Sequence, residues 1–302
     1  MSNTIESETA SAARAYADIA FTSSDGLRLH ARDYAGASGF ARLPVICIHG
    51  LTRNASDFDE VAPEIARLGR RVIAIDVRGR GESSWDQNPA NYNLAVYAND
   101  VVTLTRELGI ARAVFVGTSM GGLITMTLAL RHLDLIAAAV LNDVGPVLSP
   151  RGLARIAGYA GKGEVLRSWS EAAGYLRAIN EVAFPDYTED DWQRWARRAF
   201  FEKSPGELAM RYDARIGLAM RAGAVKPSSM MARFAFKRLA RRRPTLLVRG
   251  ALSDLVELEQ LNLMRSLAPH MAYAEVDNVG HAPMLTEAQA KLALGEFLGR
   301  VE

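Results

Sequence analysis

Short apolar runs alternate with amphipathic stretches along most of the chain, and the period of each run predicts its element. Tyr16 to Ser23 and Leu27 to Tyr34 flank Asp25-Gly26, the strongest short-range signal for a β-hairpin. Pro44 to His49, Arg71 to Ile75, Ala113 to Val116, Ile136 to Leu141, Thr245 to Arg249 and Ala272 to Val276 are apolar and short enough for buried strands. Between them, Asp57 to Leu68, Leu94 to Leu108 and Met120 to Arg131 carry helical spacing. Strands without polar alternation, separated by helices, predict an α/β fold: a mostly parallel central sheet covered by helices on both faces.

From Pro146 to Arg243 the alternation stops. That stretch shows helical periodicity and no good strand, and it holds Trp169, Trp192 and Trp195. Pro146, Pro150 and Pro244 suit boundary turns. The expected organisation is a core of residues 1–145 and 243–302, interrupted by a helical cap over 146–242. Thr286 and Gln289 read as a capping box for the last helix.

Composition narrows the class. Apolar residues make up 49% of the 302 and charged ones 23%, as in a soluble globular protein. A net charge of +2 argues against a dedicated polyanion partner such as a nucleic acid. The single cysteine, Cys47, cannot form an intrachain disulfide and reads as a small buried hydrophobe. The first residues lack the apolar segment of a signal peptide, and no run is long enough to span a bilayer. A cytoplasmic protein without a membrane partner is expected; the pattern does not set its oligomeric state.

The chemistry is concentrated at Gly117-Thr118-Ser119-Met120-Gly121. A strand runs into this G-x-S-x-G segment and a helix leaves it. That context predicts a tight turn exposing Ser119 Oγ beside a helix N-terminus. A serine hydroxyl needs a base, and the base needs an orienting acid. Of five histidines, His30 sits in the hairpin, His132 at a helix end and His270 in a loop. His281, in Gly280-His281-Ala282-Pro283 after the last strand, lies where ligands sit in open α/β sheets, and is the expected base. Two carboxylates follow strands at that edge. Asp254 is the expected acid, with Asp143 as the alternative; both precede His281. The oxyanion of a tetrahedral intermediate needs two donors, expected from the N–H groups of Leu51 and Met120. His49 and Gly50 are expected at the substrate site, with His49 bracing the loop, and Trp192 and Trp195 are candidate cap residues facing substrate.

These features together resemble the α/β-hydrolase fold enzymes, in the branch with a serine nucleophile, an HG oxyanion loop and a helical cap. The resemblance rests on His49-Gly50, Asp76 to Ser83, the turn at Ser119, Asp254 and Gly280 to Pro283, and covers roughly residues 16–145 and 244–302. It implies that Asp76 to Ser83 is a structural turn. A serine rather than an aspartate at the turn implies an acyl-enzyme, hence a carboxylic-ester hydrolase acting on a small molecule. The alternatives are C–C hydrolysis of ring-cleavage diketones or lactone hydrolysis with the same triad, suited by the cap's aromatic and Met content, and a non-turning receptor on the same fold.

Other motifs fall away. Gly79-Arg80-Gly81-Glu82-Ser83-Ser84 lacks the third glycine of a dinucleotide fingerprint. No paired His or Cys spacing implies a metal, and no cofactor is expected. The basic stretch Arg233 to Arg243 reads as a solvated helix end with one packed face.

Overall fold

The computed structural model describes residues 15–37, 42–162, 165–222 and 226–302. In chain order the elements are β1 (Ala17–Thr22), β2 (Arg28–Tyr34), β3 (Val45–Ile48), α1 (Val61–Arg67), β4 (Val72–Asp76), α2 (Leu94–Glu107), β5 (Ala113–Thr118), α3 (Met120–Arg131) and β6 (Ile136–Asn142). An inserted region follows, with α4 (Pro150–Tyr159), α5 (Trp169–Asn180), α6 (Glu189–Ala199), β7 (Phe200–Ser204), β8 (Glu207–Met210) and α7 (Leu218–Arg221). The chain closes with α8 (Met230–Arg242), β9 (Thr245–Gly250), α9 (Leu258–Leu267), β10 (Ala272–Val276) and α10 (Ala288–Arg300).

Eight strands form one sheet in the order β1-β2-β4-β3-β5-β6-β9-β10. The β1/β2 and β2/β4 pairs are antiparallel and the rest are parallel. Alternation along the strands sends Ile46, Ile48, Ile73 and Phe115 to one face, where they pack with residues of α2, α3, α8 and α9. Val45, Cys47, Val72, Val114 and Val116 face the other way, toward α1 and α10. Both faces are dry, so these strands read as unbroken apolar runs. The hairpin turns at Gly26, whose φ of 86° suits a residue without a Cβ.

Three details differ from the expected pattern. The inserted region contains an antiparallel ribbon, β7 with β8. Its outer residues Glu202, Lys203 and Ser204 are exposed, so it lacks the apolar run that betrays a buried strand. The capping box at Thr286 does not form. Gln289 reaches Asp277, and Glu287 occupies the cap position with its carboxylate on the Met284 N–H. Finally, α8 lies within the expected 146–242 cap but packs on α3. Phe236 and Leu239 are fully buried in the sheet's own core, and Arg238 Nε donates to the Ala129 carbonyl. It therefore belongs to the helical layer of the core. No helix among the described residues is long and apolar enough to cross a membrane.

Candidate active site

Ser119 sits between β5 and α3 with φ 51° and ψ −112°, a left-handed conformation rare for a residue with a Cβ. The turn is possible because its neighbours are small. A Cβ on Gly117 would lie 2.5 Å from the Gly121 carbonyl carbon, and one on Gly121 would lie 2.0 Å from the Ile48 carbonyl oxygen. The glycines let α3 start directly against β3 and β5. The Ser119 N–H donates to the Asn142 carbonyl at 2.9 Å, which fixes the turn to β6.

His281 arrives on the loop after β10. Its Nε2 is 2.8 Å from Ser119 Oγ, and its Nδ1 is 2.8 Å from Asp143 Oδ2. The three side chains form one hydrogen-bonded line. The pairing assigns the hydrogen to Nδ1, so Nε2 offers its lone pair to the serine hydroxyl.

The carboxylate on His281 is thus Asp143, and the expectation of Asp254 is corrected. Asp143 is fully buried with φ 53°, a left-handed kink that aims its side chain across β9. Its Oδ1 accepts the Gly250 N–H, and its Oδ2 accepts the Ser253 hydroxyl at 2.6 Å as well as His281. Asp254 instead takes a bidentate contact from Arg155 of α4 at 2.6 and 2.9 Å. Burial alone would raise the Asp254 pKa, but the guanidinium holds it below the usual carboxylate range. The loop after β9 still serves the site, one residue earlier than expected, through Ser253.

Leu51 lines the cavity with Ser119, and Met120 follows the serine in the chain. Neither N–H finds an acceptor among the described residues, and that of Met120 is among the open donors of the α3 N-terminus. Gly50 lines the cavity in front of Ser119. His49 does not: it is fully buried, with Nδ1 on the Gly50 carbonyl at 2.7 Å and Nε2 accepting the Val77 N–H at 3.1 Å. Burial lowers its pKa to about 4, so it braces the loop as a neutral ring. Trp192 and Trp195 are also buried. They stack at 5.6 Å and pack with Phe184 and Tyr187 as the core of the inserted region. The expectation that they face substrate is corrected, since their rings are consumed by each other.

Four residues outside the expected site shape it. Arg80 is fully buried. Its Nε donates to the Leu51 carbonyl at 3.0 Å, and its other nitrogens reach the Arg78 carbonyl, Tyr97 Oη and Met120 Sδ. It thus contacts both Leu51 and Met120. Asn142 donates from Nδ2 to Thr118 Oγ1 and to the Pro283 carbonyl, tying the serine turn to the histidine loop. Arg53 and Tyr159 line the cavity with Ser119. The only sequence cue for Arg80 was its place in a turn of alternating Gly and Arg. The cavity has a volume of about 40 Å³ and is also bounded by Leu51, Ile156 and Asn180. Ile156, Tyr159 and Asn180 come from α4 and α5, so the inserted region forms part of the roof over the serine.

The family model of the alpha/beta hydrolase fold matches residues 44–288. A crystal structure of an alpha/beta hydrolase from Novosphingobium aromaticivorans superposes with a TM-score of 0.87 at 41% identity, over 95% of this chain and 99% of that one. A 3-hydroxybutyrate-oligomer hydrolase of Cupriavidus necator is 34% identical over 84% of this chain and 88% of its own length. An sn-1-specific diacylglycerol lipase of Mus musculus is 26% identical over 80% of this chain and 76% of its own. The chain belongs to the alpha/beta-hydrolase fold family, and these relatives support hydrolysis as its reaction class.

Proposed function

We propose that this protein is a serine-dependent carboxylic-ester hydrolase acting on small hydroxy-acid esters and their short oligomers. The observation that carries the reaction type is the unbroken line Ser119–His281–Asp143, each contact 2.8 Å, with the serine at a helix N-terminus. Ser119 Oγ attacks the ester carbonyl while its proton passes to His281 Nε2. The resulting oxyanion is held by the N–H groups of Leu51 and Met120. His281 then gives the proton to the departing alkoxide, leaving an acyl-serine. In the second half His281 takes a proton from water, the hydroxide attacks the acyl group, and the proton returns to Ser119 as the acid leaves. Asp143 accepts the Nδ1 hydrogen throughout and stabilises the transient imidazolium.

The hydroxy-acid class rests on likeness to the oligomer hydrolase, which extends over most of both chains. The aromatic residues that would favour a ring-cleavage diketone, Trp192, Trp195 and Phe200, are buried in the inserted region's own core. The test is hydrolysis of p-nitrophenyl butyrate and of the 3-hydroxybutyrate dimer by wild type and by Ser119→Ala. The variant should lose about 10³-fold or more in kcat on both substrates. Near wild-type turnover by Ser119→Ala would falsify the serine mechanism. Turnover of the p-nitrophenyl ester with none of the dimer would remove the substrate class alone.

A further inference from the structure

Arg53 stands out among the cavity-lining residues because its charge has no part in the hydrolytic steps. Its side chain is largely buried, and its guanidinium lies over the Trp195 ring at 4.2 Å. Nη1 reaches Asp57 Oδ2 at 3.3 Å and Met284 Sδ at 2.9 Å. The hydrogens of Nε and Nη2 find no acceptor among the described residues. The stacked indole covers one face of the guanidinium, so these remaining donors act from its edge. The reacting centre is close by. A single point beside the Gly50 Cα, where a Cβ would stand, is 3.5 Å from Arg53 Cγ and 3.7 Å from Ser119 Cβ.

Resting on the ester-hydrolase reading above, we infer that Arg53 is the anchor for a carboxylate carried on the alcohol half of the ester. A planar guanidinium with free in-plane donors binds a carboxylate by two parallel hydrogen bonds. Asp57 offers it only one long contact, which keeps the charge compensated while the site is empty and leaves the paired donors for the ligand. Two carboxylates near the serine are already engaged. Arg155 and Asp254 neutralise each other, and the Asp143 carboxylate is taken by His281, Ser253 and Gly250. In a hydroxy-acid dimer the carboxylate is separated from the scissile carbonyl by the ester oxygen and two carbons. Arg53 and Ser119 line the same cavity, and one point beside Gly50 lies 3.5 Å from Arg53 Cγ and 3.7 Å from Ser119 Cβ, so the arginine stem borders the space such an ester would fill. Arg53 thus sets the direction of cleavage: oligomers are held by their carboxyl terminus and release one hydroxy acid from that end.

The test compares the 3-hydroxybutyrate dimer as free acid with its methyl ester. Wild type should favour the acid by about 10- to 100-fold in kcat/KM, the range of a charge-assisted hydrogen-bonded pair. Arg53→Gln should collapse that ratio toward one, mainly through KM for the acid, and Arg53→Lys should restore part of it. In a Ser119→Ala background, titration calorimetry with the dimer acid should show binding weakened about 10-fold or more by Arg53→Gln. An unchanged acid-to-ester ratio in Arg53→Gln, with both substrates falling together, overturns the assignment and makes Arg53 a packing residue. A wild type indifferent to the methyl cap overturns it equally. Failure of the serine mechanism shows separately, as hydrolysis that survives Ser119→Ala.

Discussion

Ser253 donates its hydroxyl to Asp143 at 2.6 Å, on the same carboxylate oxygen that accepts His281, while the next residue in the chain turns toward Arg155. One loop therefore splits between two tasks. It supports the carboxylate of β6, and through Asp254 it clamps α4 of the roof to the core.

This division predicts opposite outcomes for two similar substitutions. Asp143→Asn should lower kcat for p-nitrophenyl butyrate by about 10³- to 10⁴-fold, because an amide cannot accept the Nδ1 hydrogen in the same way. Asp254→Asn should stay within about 10-fold of wild type, since its carboxylate does not touch His281. Ser253→Ala should cost about 1–3 kcal/mol of stability by removing a hydrogen bond to a buried charge. Steady-state kinetics and urea melts of the three variants check this set.

His49 predicts a pH dependence of stability. Its folded pKa is depressed by burial to about 4, from 6.5. As pH falls below 6.5 the unfolded chain takes up the proton and the folded protein does not. Stability from this group is therefore full above pH 6.5 and drains away down to about pH 4. A neutral replacement lacks the drain. The stability gap between wild type and His49→Asn should narrow by on the order of 3 kcal/mol between pH 7 and pH 4. Urea unfolding at several pH values reads the gap; one that stays constant would show that His49 titrates normally.

Two glycines beside Ser119 should respond differently to alanine. At Gly121 the new methyl would stand 2.0 Å from the Ile48 carbonyl oxygen, which is backbone and cannot swing aside. Gly121→Ala should be destabilised by about 3 kcal/mol or more, or fail to accumulate as folded protein. At Gly50 the nearest atoms are 3.5 and 3.7 Å away, ordinary contact distances. Gly50→Ala should melt within a few degrees of wild type and yet lose activity, because the methyl fills space in front of the serine. Thermal melts alongside kinetics distinguish the two.

Arg80 joins the Leu51 carbonyl to the Met120 side chain. Arg80→Lys keeps the charge and loses the fork. If the fork sets the oxyanion loop, kcat should fall about 10- to 100-fold with a smaller change in KM, as when an oxyanion donor is displaced. Equal loss of kcat and gain in KM would point to a general loosening instead.

Much of the scaffold was legible along the chain. Unbroken apolar runs such as Val45 to Ile48 and Val114 to Val116 are strands because both sheet faces are dry. The spacing of Gly117, Ser119 and Gly121 announced the tight turn, since only a Cβ-free neighbour can lie against Ile48. Ser119, His281 and the loop after β3 could be placed at one sheet edge because strand polarity puts the residues after parallel strands together. The β7/β8 ribbon was hidden by its polar outer face, and α8 by lying between cap and core with helical spacing common to both.

The order of residues alone determined the family of folds and the tight turn at Ser119, because these follow from periodicity and local sterics. The choice between Asp143 and Asp254 was made only in three dimensions. Both follow neighbouring parallel strands and both precede His281, so their linear contexts are alike. What separates them is the left-handed backbone at Asp143, which aims its carboxylate at the histidine, and Arg155, brought from 99 positions away to hold Asp254. The burial of Trp192 and Trp195 and the stacking of Arg53 on the Trp195 ring were decided in the same way. A side chain's partners depend on which surfaces the fold brings together, and no local pattern records that.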